Sequence, residues 1–430
     1  MRIYSFPHGG ISYNDPTAPS KKSVVNAYLP SLSVIPIGKR IFPTISIGDM
    51  VREGMLIARA TEAGTVNVHA TVPGRVIKKA SWKNRDGFEN DALVIRMEGS
   101  FEKLGKREEV FPWAGLNCYD LQRIISEFGI VEMEYSGRPL SEMISAGRKE
   151  NDKLTLVIRC VFDDPWHVAD YALCQQRIKA VVEGAAIVAK ASSKVTQIIF
   201  AVSHREKEIG EMFIKNSQTL EYPAALVLTG SRYPQRNNRE LELALRTYEK
   251  KEELSLGAFL ILGPAVLAAV YDAVKFKKPI LERYVAVGGS AVRYPQVMKA
   301  RIGTRIGELI EQCGGLTGKP ERIVLGSPLS GREVSYLDEP VGSTCYAIVA
   351  MAKSQAKIYQ RQNCINCGEC RTVCPIGLDP QNIYKRIRTL GIEKTGDTGC
   401  HGCGCCKIVC PSSLPLSEVI FERNTEAAGA

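Results

Sequence analysis

Two cysteine runs near the end of the chain constrain its structure more than any other feature. The spacing Cys-x2-Cys-x2-Cys-x3-Cys-Pro begins at Cys364 and again at Cys400. A four-iron cluster requires four thiolates that converge on one cube, and this spacing supplies them. The two runs therefore predict two 4Fe–4S clusters, and such clusters carry one electron at a time.

The spacing also predicts which cysteines share a cluster. Where two such runs occur in one domain, the fourth cysteine of each run usually ligates the cluster of the other. By that rule one cluster has the ligands Cys364, Cys367, Cys370 and Cys410, and the other has Cys400, Cys403, Cys406 and Cys374. Zinc is the alternative, but it usually takes two Cys-x2-Cys pairs per ion, so runs that each end in Cys-Pro favour clusters.

The other cysteines have no cluster role in this interpretation. Cys405 lies outside the register and is predicted to be a spectator thiol. Five more are scattered in apolar sequence and are predicted to be core residues: Cys118, Cys160, Cys174, Cys313 and Cys345. The N-terminus has no apolar signal segment, so we expect a cytosolic chain whose 14 cysteines serve metal or redox chemistry rather than disulfides.

The net charge of +10 is concentrated near the cysteine runs. Residues 351–390 contain seven Lys or Arg and two Asp or Glu, a net +5. This predicts an acidic partner, although a solvated basic face is the simpler alternative. No aromatic and basic recognition module stands out, so nucleic acid is not expected. The apolar stretch 256–274 is broken by Gly263-Pro264 and is interpreted as a buried strand and a helix rather than a membrane span.

Four domains are predicted, in a multidomain α/β chain. Residues 1–110 contain short strands punctuated by glycines and resemble a barrel-sandwich β module. Carriers of this type have a modifiable lysine at a hairpin tip, but no lysine occurs between Leu56 and Val68, which favours a structural role. Residues 111–275 alternate strands and helices and predict a mostly parallel sheet, and residues 276–340 predict a small mixed β/α domain.

The last predicted domain, residues 341–430, is a helical two-cluster ferredoxin domain. A connecting helix is predicted over 345–360. Between the runs, Asp379 suits a helix N-cap, Pro380 the first helical position and Gly391 the position after the helix.

The chain resembles the RnfC family, which are the C subunits of Rnf-type ion-translocating electron-transport complexes. Six segments outside the cysteine runs carry the resemblance: FPHGGI (6–11), GDMVREGMLIA (48–58), HATVPGRV (69–76), YPQ (233–235), KPILERYVAVGGSAV (278–292) and RIGTRIGELIEQCGG (301–315), with the two runs themselves completing the order. The resemblance implies a peripheral subunit on the cytoplasmic face of the inner membrane. It also implies a central domain similar to the flavin-bearing subunit of respiratory complex I and a small ligand-binding-type domain.

The chain departs from that family at the flavin and nicotinamide site. The family has a glycine-rich G-x-G-G-A-G-F-P-T loop, where this chain has EMEYSGRPL over 132–140. Only Gly137 and Pro139 match, and Glu132 and Glu134 would repel a phosphate. In the acidic family segment matched by 161–170, Asp164 is the main remnant. FMN is therefore doubtful, and we expect no NADH oxidation through a flavin; the alternative is FMN bound by a remodelled loop.

These observations predict an electron-transfer subunit of a membrane-bound, ion-translocating oxidoreductase complex. It would relay electrons through the two clusters between a soluble carrier and other redox subunits, and the basic segment favours an acidic ferredoxin or flavodoxin as carrier. No catalytic acid, base or nucleophile is required. The alternatives are a soluble corrinoid reductase-like iron–sulfur protein and a non-catalytic docking scaffold whose clusters brace the fold.

Overall fold

The structure is a computed structural model that describes residues 2–21, 24–38, 41–83, 89–99, 101, 109–356, 361–390 and 398–427. Three sequence predictions fall wholly or partly outside these residues. They are the basic side chain of Lys357, the last part of the predicted connecting helix (357–360) and the helix end at Gly391.

The first two strands lie in the sheets of other domains. Strand β1 (Ile3–Tyr4) pairs in parallel with a strand of the central domain, and β2 (Val24–Asn26) pairs in parallel with a strand of the small β/α domain. The N-terminal segment therefore ties together parts of the chain that are far apart in sequence. Its short strands gave no clear periodicity from which this could be predicted.

The barrel-sandwich module consists of two small antiparallel sheets with a shared core. One has the order β3-β9-β8-β5 and the other β4-β6-β7. Alternating residues such as Ile35, Ile37, Val76 and Ile95 point into the core and are buried. The strands are β3 (Leu32–Ile37), β4 (Ile41–Pro43), β5 (Met50–Val51), β6 (Leu56–Ala60), β7 (Val68–His69), β8 (Gly74–Lys83) and β9 (Glu89–Met97).

The hairpin between β6 and β7 contacts the central domain. The backbone N–H of Gly64 donates to the Glu142 carboxylate at 2.7 Å, and the Asn67 amide donates to the Glu127 carbonyl at 3.1 Å. A hairpin tip held by these hydrogen bonds is suited to bracing two domains, in agreement with the structural role that its lack of lysine predicts.

The central domain is built on a five-stranded sheet in which every neighbouring pair is parallel. The order is β1-β12-β11-β10-β13, so the prediction of a mostly parallel sheet is confirmed. All seven residues of β10 are buried, as is typical of a parallel strand covered on both faces. The strands are β10 (Leu154–Cys160), β11 (Val195–Ser203), β12 (Ala224–Thr229) and β13 (Ala258–Leu262).

Helices cover both faces of this sheet. The long α3 and α6 pack on one face, where Val181, Val188 and Leu267 are buried, and α5 packs on the other through Leu241 and Leu245. The helices are α1 (Cys118–Glu127), α2 (Leu140–Glu150), α3 (Val168–Ser192), α4 (Lys207–Ser217), α5 (Asn238–Lys251) and α6 (Pro264–Phe276).

The apolar stretch 256–274 forms the predicted strand and helix. It comprises β13 and most of α6, which begins at Pro264. In the described part of the chain, no helix has the length and apolar character that crossing a membrane requires.

The small domain contains a six-stranded mixed sheet with the order β17-β16-β18-β14-β15-β2. The predicted connecting helix over 345–360 is wrong in its first half, because Ala347–Met351 forms β18 in the middle of this sheet. The error arises because a short, fully buried apolar run has no periodicity that separates strand from helix. The elements are β14 (Glu282–Gly288), β15 (Gln296–Arg301), α7 (Ile306–Gln312), β16 (Arg322–Leu325), β17 (Arg332–Val334) and β18.

The C-terminal part is helical. The helices are α8 (Lys353–Ala356), α9 (Glu369–Thr372), α10 (Pro380–Leu390), α11 (Cys405–Ile408) and α12 (Leu416–Ala427). Helix α10 begins at Pro380 as predicted, and the Asp379 carboxylate accepts the Asn382 N–H at 3.1 Å, as an N-cap does.

Candidate metal centres

The two cysteine runs adopt nearly the same backbone conformation. Each contains a glycine after its second cysteine, Gly368 with φ 79° and Gly404 with φ 80°, and this glycine caps a one-turn helix. The residues that cap the C-terminal ends of helices α9 and α11, Val373 and Val409, have φ −91° and −88°. The repeated sequence therefore gives a repeated backbone geometry. The two runs present their cysteines in the same way.

One cavity is lined by cysteines from both runs. Cys364, Cys367 and Cys370 of the first run surround it together with Cys410 of the second run. Tyr384, Leu414 and Leu416 contribute apolar walls. The four cysteines are the set that the spacing predicts for one cluster.

A second cavity has the complementary set. Cys400, Cys403 and Cys406 line it together with Cys374 of the first run, and Ile376 and Ile420 provide apolar contacts. Each cavity therefore takes three cysteines from one run and the fourth from the other. We refer to the space around Cys367 as the outer cavity and the space around Cys403 as the inner cavity.

The chemistry of the cavity linings fits iron–sulfur clusters. Backbone N–H groups donate to ligand sulfurs, from Leu378 to Cys374 at 3.2 Å and from Gly402 to Cys400 at 3.5 Å. In a cubane each cysteine binds a different iron, so the thiolates surround a cavity instead of converging on one atom. Among the described residues, no three or more His, Cys, Asp or Glu side chains come together in a way that would hold one metal ion.

Cys405 lies in the inner cavity beside a predicted ligand. It is fully buried, and hydrogen bonding from its thiol and from His401 holds the pKa of Cys403 below its usual range. Burial, by contrast, raises the pKa of Cys400 to about 11. Cys405 thus lies next to the predicted ligands of this cavity, and its spectator role stays a prediction.

The cysteines predicted to be core residues are mostly buried. Cys160, Cys174, Cys313 and Cys345 lie in the apolar cores. Cys118 is partly exposed, because it occupies the first position of α1, on the rim of the central domain.

Two family-like motifs hold the cysteine runs against the rest of the chain. In FPHGGI, the N–H of Gly10 donates to the Val373 carbonyl at 2.9 Å. In YPQ, the Tyr233 hydroxyl donates to the Cys403 carbonyl at 2.7 Å. Ile11 and Tyr233 also exchange backbone hydrogen bonds of 2.9 Å. The two motifs are therefore joined to each other as well as to the cysteine runs.

The two cavities differ in exposure. Beside the outer cavity, Cys367 is exposed and Ile365 is 64% exposed. The inner cavity faces the central and small domains, and a cleft of about 700 Å³ reaches Cys403 between them. Within residues 361–390 of the basic segment, five cations are exposed: Arg361, Arg371, Lys385, Arg386 and Arg388.

The two predicted remnants of a flavin site, Gly137 and Asp164, each have a role in the local backbone structure. Gly137 has a positive φ of 61° in the loop 132–140. Asp164 is buried, and its carboxylate accepts the Trp166 N–H at 3.0 Å, which caps the 3-10 turn 165–167. Burial raises the pKa of the neighbouring Asp163 to about 7.

Three buried arginines near these remnants escaped the sequence analysis. Arg159, Arg236 and Arg283 are each at most 2% exposed and contact the buried carboxylates of Glu134 and Asp170. Arg159 lies within the otherwise apolar strand LTLVIRC. An arginine in a buried strand requires an acidic partner, and that signal was present in the sequence.

Taken together, the fold and the paired cavities define a multidomain α/β iron–sulfur protein of the two-cluster type. Three family models match in chain order. The RnfC barrel sandwich hybrid domain matches residues 5–100, the SLBB domain 284–338 and the 4Fe-4S dicluster domain 356–412. The chain thus has the domains of an RnfC-type protein, and the resemblance to the RnfC family is confirmed.

Curated relatives are similar in sequence to this chain over most of its length. The chain is 28% identical over 380 residues to the C subunit of the ion-translocating oxidoreductase complex of Rhodobacter capsulatus, covering 86% of this chain and 72% of the relative. It is 26% identical to the C subunit of the proton-translocating ferredoxin:NAD(+) oxidoreductase complex of Clostridium ljungdahlii, covering 86% and 82%. The Na(+)-translocating counterpart of Acetobacterium woodii is also 26% identical, covering 82% and 81%.

A solved structure shares the fold. The NAD+-reducing [NiFe]-hydrogenase in its H2-reduced state matches with a TM-score of 0.52 and 12% identity, covering 74% of this chain and 62% of that chain. At this identity the match concerns the arrangement of elements alone.

Proposed function

We propose that the chain is the electron-relaying subunit of an ion-translocating oxidoreductase complex. The observation that carries this proposal is the pair of cavities, each lined by four cysteines in the crossed pattern. Bound 4Fe–4S clusters would supply one-electron transfer there. The protein supplies the eight thiolates, the N–H donors to sulfur and the apolar walls that exclude water.

The proposed ligands are those that the cavities bring together. They are Cys364, Cys367, Cys370 and Cys410 for the outer cluster and Cys374, Cys400, Cys403 and Cys406 for the inner cluster. The sequence predicted domains at residues 1–110, 111–275, 276–340 and 341–430. We propose the same four domains with the small domain extended through β18 to residue 351, because β18 lies in its sheet, and with β1 and β2 as N-terminal strands added to the central and small domains. The central domain is proposed to be a relative of the flavin-bearing subunit of complex I, a proposal that its parallel sheet supports.

The different exposure of the two cavities supports an assignment of each cluster to one kind of partner. The outer cluster exchanges electrons with a soluble carrier, because Cys367 is accessible and the same domain carries five exposed cations. The cations favour an acidic carrier of the ferredoxin or flavodoxin class. The inner cluster exchanges electrons with neighbouring subunits of the complex, at the cleft that reaches Cys403. The chain would lie on the cytoplasmic face of the membrane as a peripheral subunit.

Single Cys→Ser variants of anaerobically purified protein test the function and the ligand sets together. We expect about eight irons per wild-type chain and paramagnetic signals of two clusters after reduction with dithionite. Cys364→Ser and Cys410→Ser should perturb the same signal, and Cys374→Ser and Cys400→Ser the other. Cys118→Ser, outside both cavities, is the control and should leave both signals intact.

Two results would contradict the proposal. Wild-type protein that is colourless and free of iron would remove the function itself. If Cys374→Ser instead perturbed the same signal as Cys364→Ser, the function would stand but the crossed ligand sets would be wrong.

A further inference from the structure

The carboxyl-end edge of the central sheet is where open α/β sheets usually bind ligands. Asp163 and Asp164 follow β10 there, Gly263 follows β13, and the loop 132–140 lies over the same edge. The Glu132 N–H donates to the Arg138 carbonyl at 2.9 Å and closes this loop. In this chain the edge is occupied by charged side chains of the protein itself.

Glu132 fills the anion-binding position of its own loop. Its carboxylate accepts three consecutive backbone N–H groups, from Glu134 at 2.9 Å, Tyr135 at 2.8 Å and Ser136 at 2.7 Å. The Ser136 hydroxyl donates to the same carboxylate at 3.2 Å. Successive N–H groups of this kind form a concave site that binds phosphate in other proteins. Here the donors are already used by an internal carboxylate.

Glu134 fills the space beyond the loop. Its carboxylate is 1% exposed and accepts hydrogen bonds from Arg159 and, at 2.7 Å, from Arg236. A Cβ added to Gly263 would overlap this carboxylate, so Glu134 lies directly against the turn that precedes helix α6. A helix N-terminus attracts anions, and the Glu134 carboxylate lies beside this one.

The charges of this cluster compensate one another. Arg236 also pairs with Asp170 at 2.9 Å, and Arg283 pairs with Asp170 at 3.3 Å. Three buried arginines thus face Glu132, Glu134 and Asp170, all of them nearly inaccessible to water. An added phosphate would bring further negative charge into a site without a spare cation and would have to displace a carboxylate.

We propose that Glu132 and Glu134 are built-in anionic ligands that occupy the position of a flavin phosphate, so that this chain relays electrons without a bound flavin. The inference rests on the proposed relay function and specifies its partners. A nicotinamide donates a hydride, which carries two electrons, and a flavin is what converts it to single electrons. Without flavin, the clusters exchange electrons with one-electron carriers only.

The first test uses the intact wild-type protein with both clusters present. We expect no flavin in the purified chain, no saturable binding of FMN and no bleaching of the clusters by NADH, although dithionite bleaches them. Stoichiometric FMN with NADH-dependent bleaching would overturn the inference and leave the relay function intact. Failure of dithionite to reduce the clusters would instead contradict the relay function.

The second test removes the Glu134 carboxylate and so empties the space that it fills. In Glu134→Ala, Arg159 and Arg236 lose their shared carboxylate and face a hole of matching size, so an added anion should bind. We expect inorganic phosphate or formate to raise the apparent unfolding temperature of this variant by at least about 2 °C at constant ionic strength. Chloride at the same ionic strength controls for screening.

The matched control keeps the hole filled. Glu134→Gln removes the charge but retains the side-chain volume, so it should be destabilised without a specific phosphate effect. An equal phosphate effect on wild type, Glu134→Gln and Glu134→Ala would overturn the inference, because it would show binding elsewhere. If Glu134→Ala does not fold, the FMN and NADH titrations of the wild type decide alone.

Discussion

At the residue scale, the buried charges of the central domain determine how this edge of the sheet behaves. Burial alone would raise the pKa of Asp170, but Arg283 and Arg236 hold it well below its usual range. Asp163 lacks such close ion pairs. It accepts the Arg236 backbone N–H at 3.0 Å, and burial raises its pKa to about 7. As the pH rises, the contribution of Asp170 to stability therefore increases and that of Asp163 decreases.

Asp163 gives the first prediction at this scale. Its pKa is about 7 when folded and about 3.9 when unfolded, so the folded state binds more protons between these values. The contribution of Asp163 to stability should therefore fall as pH rises from about 4 to about 7 and level off above. Asp163→Asn cannot ionise, so its apparent unfolding temperature should rise relative to wild type across this window.

Thermal unfolding of both proteins at a series of pH values checks this. Asp152→Asn, at a fully exposed carboxylate, is the control and should follow wild type at every pH. A constant offset between Asp163→Asn and wild type would contradict the prediction, because it would mean that Asp163 does not change protonation in the folded protein.

At the element scale, the repeated helix caps of the cysteine runs are locally alike but differ in what surrounds them. A Cβ at Gly368 would meet nothing within 4 Å, whereas a Cβ at Gly404 would lie 2.5 Å from the Leu329 carbonyl oxygen of the small domain. The outer run is therefore free on this side, and the inner run is packed against another domain.

Alanine at these two glycines separates the local cost from the packing cost. Gly368→Ala should lose about 1–2 kcal/mol, because alanine disfavours the left-handed conformation. Gly404→Ala has the same local cost and an additional clash, so it should be less stable and should retain less iron in the inner cluster. Iron analysis and thermal unfolding measure both effects.

Each variant serves as the control of the other, since the backbone angles match. Equal losses of stability and iron in the two variants would mean that the contact between Gly404 and Leu329 does not form in solution.

At the scale of the whole molecule, the cluster domain combines an accessible cluster cysteine with exposed positive charge. The exposed cations Arg361, Arg371, Lys385, Arg386 and Arg388 are carried by the cluster domain, close to the accessible Cys367 in sequence. Surface charges of this kind contribute chiefly to the rate of association, and salt screens them over about 10 Å.

Charge reversal tests this docking surface. The double variant Arg386→Glu, Arg388→Glu should slow reduction by an acidic one-electron carrier about tenfold or more at low ionic strength, and the difference should shrink at high salt. Stopped-flow reduction measures the rate. The control Arg205→Glu, Lys251→Glu changes the net charge equally, at exposed positions of the central domain. Equal slowing in both variants, or none in either, would argue against the surface.

The elements that the sequence predicted well have strong local signals. The parallel strands were visible as apolar runs between helical segments, and α10 was marked by Asp379 and Pro380. The strand β18 was missed because a short buried run looks the same in either secondary structure. The β1 and β2 pairings were missed because short strands depend on partners that are remote in sequence.

The sequence by itself determined the chemistry of the cluster domain, because ligand spacing within a run is a local property of the backbone. It also indicated the loss of the glycine loop at 132–140. The spacing also predicted the crossed cysteine sets, which line the two cavities. Only the tertiary structure decided that Glu132 and Glu134 fill the loop and its surroundings, and that the outer cavity has an exposed cysteine while the inner cavity opens to a cleft between domains. These features join residues distant along the chain, and their energies come from burial and charge pairing that no local pattern encodes.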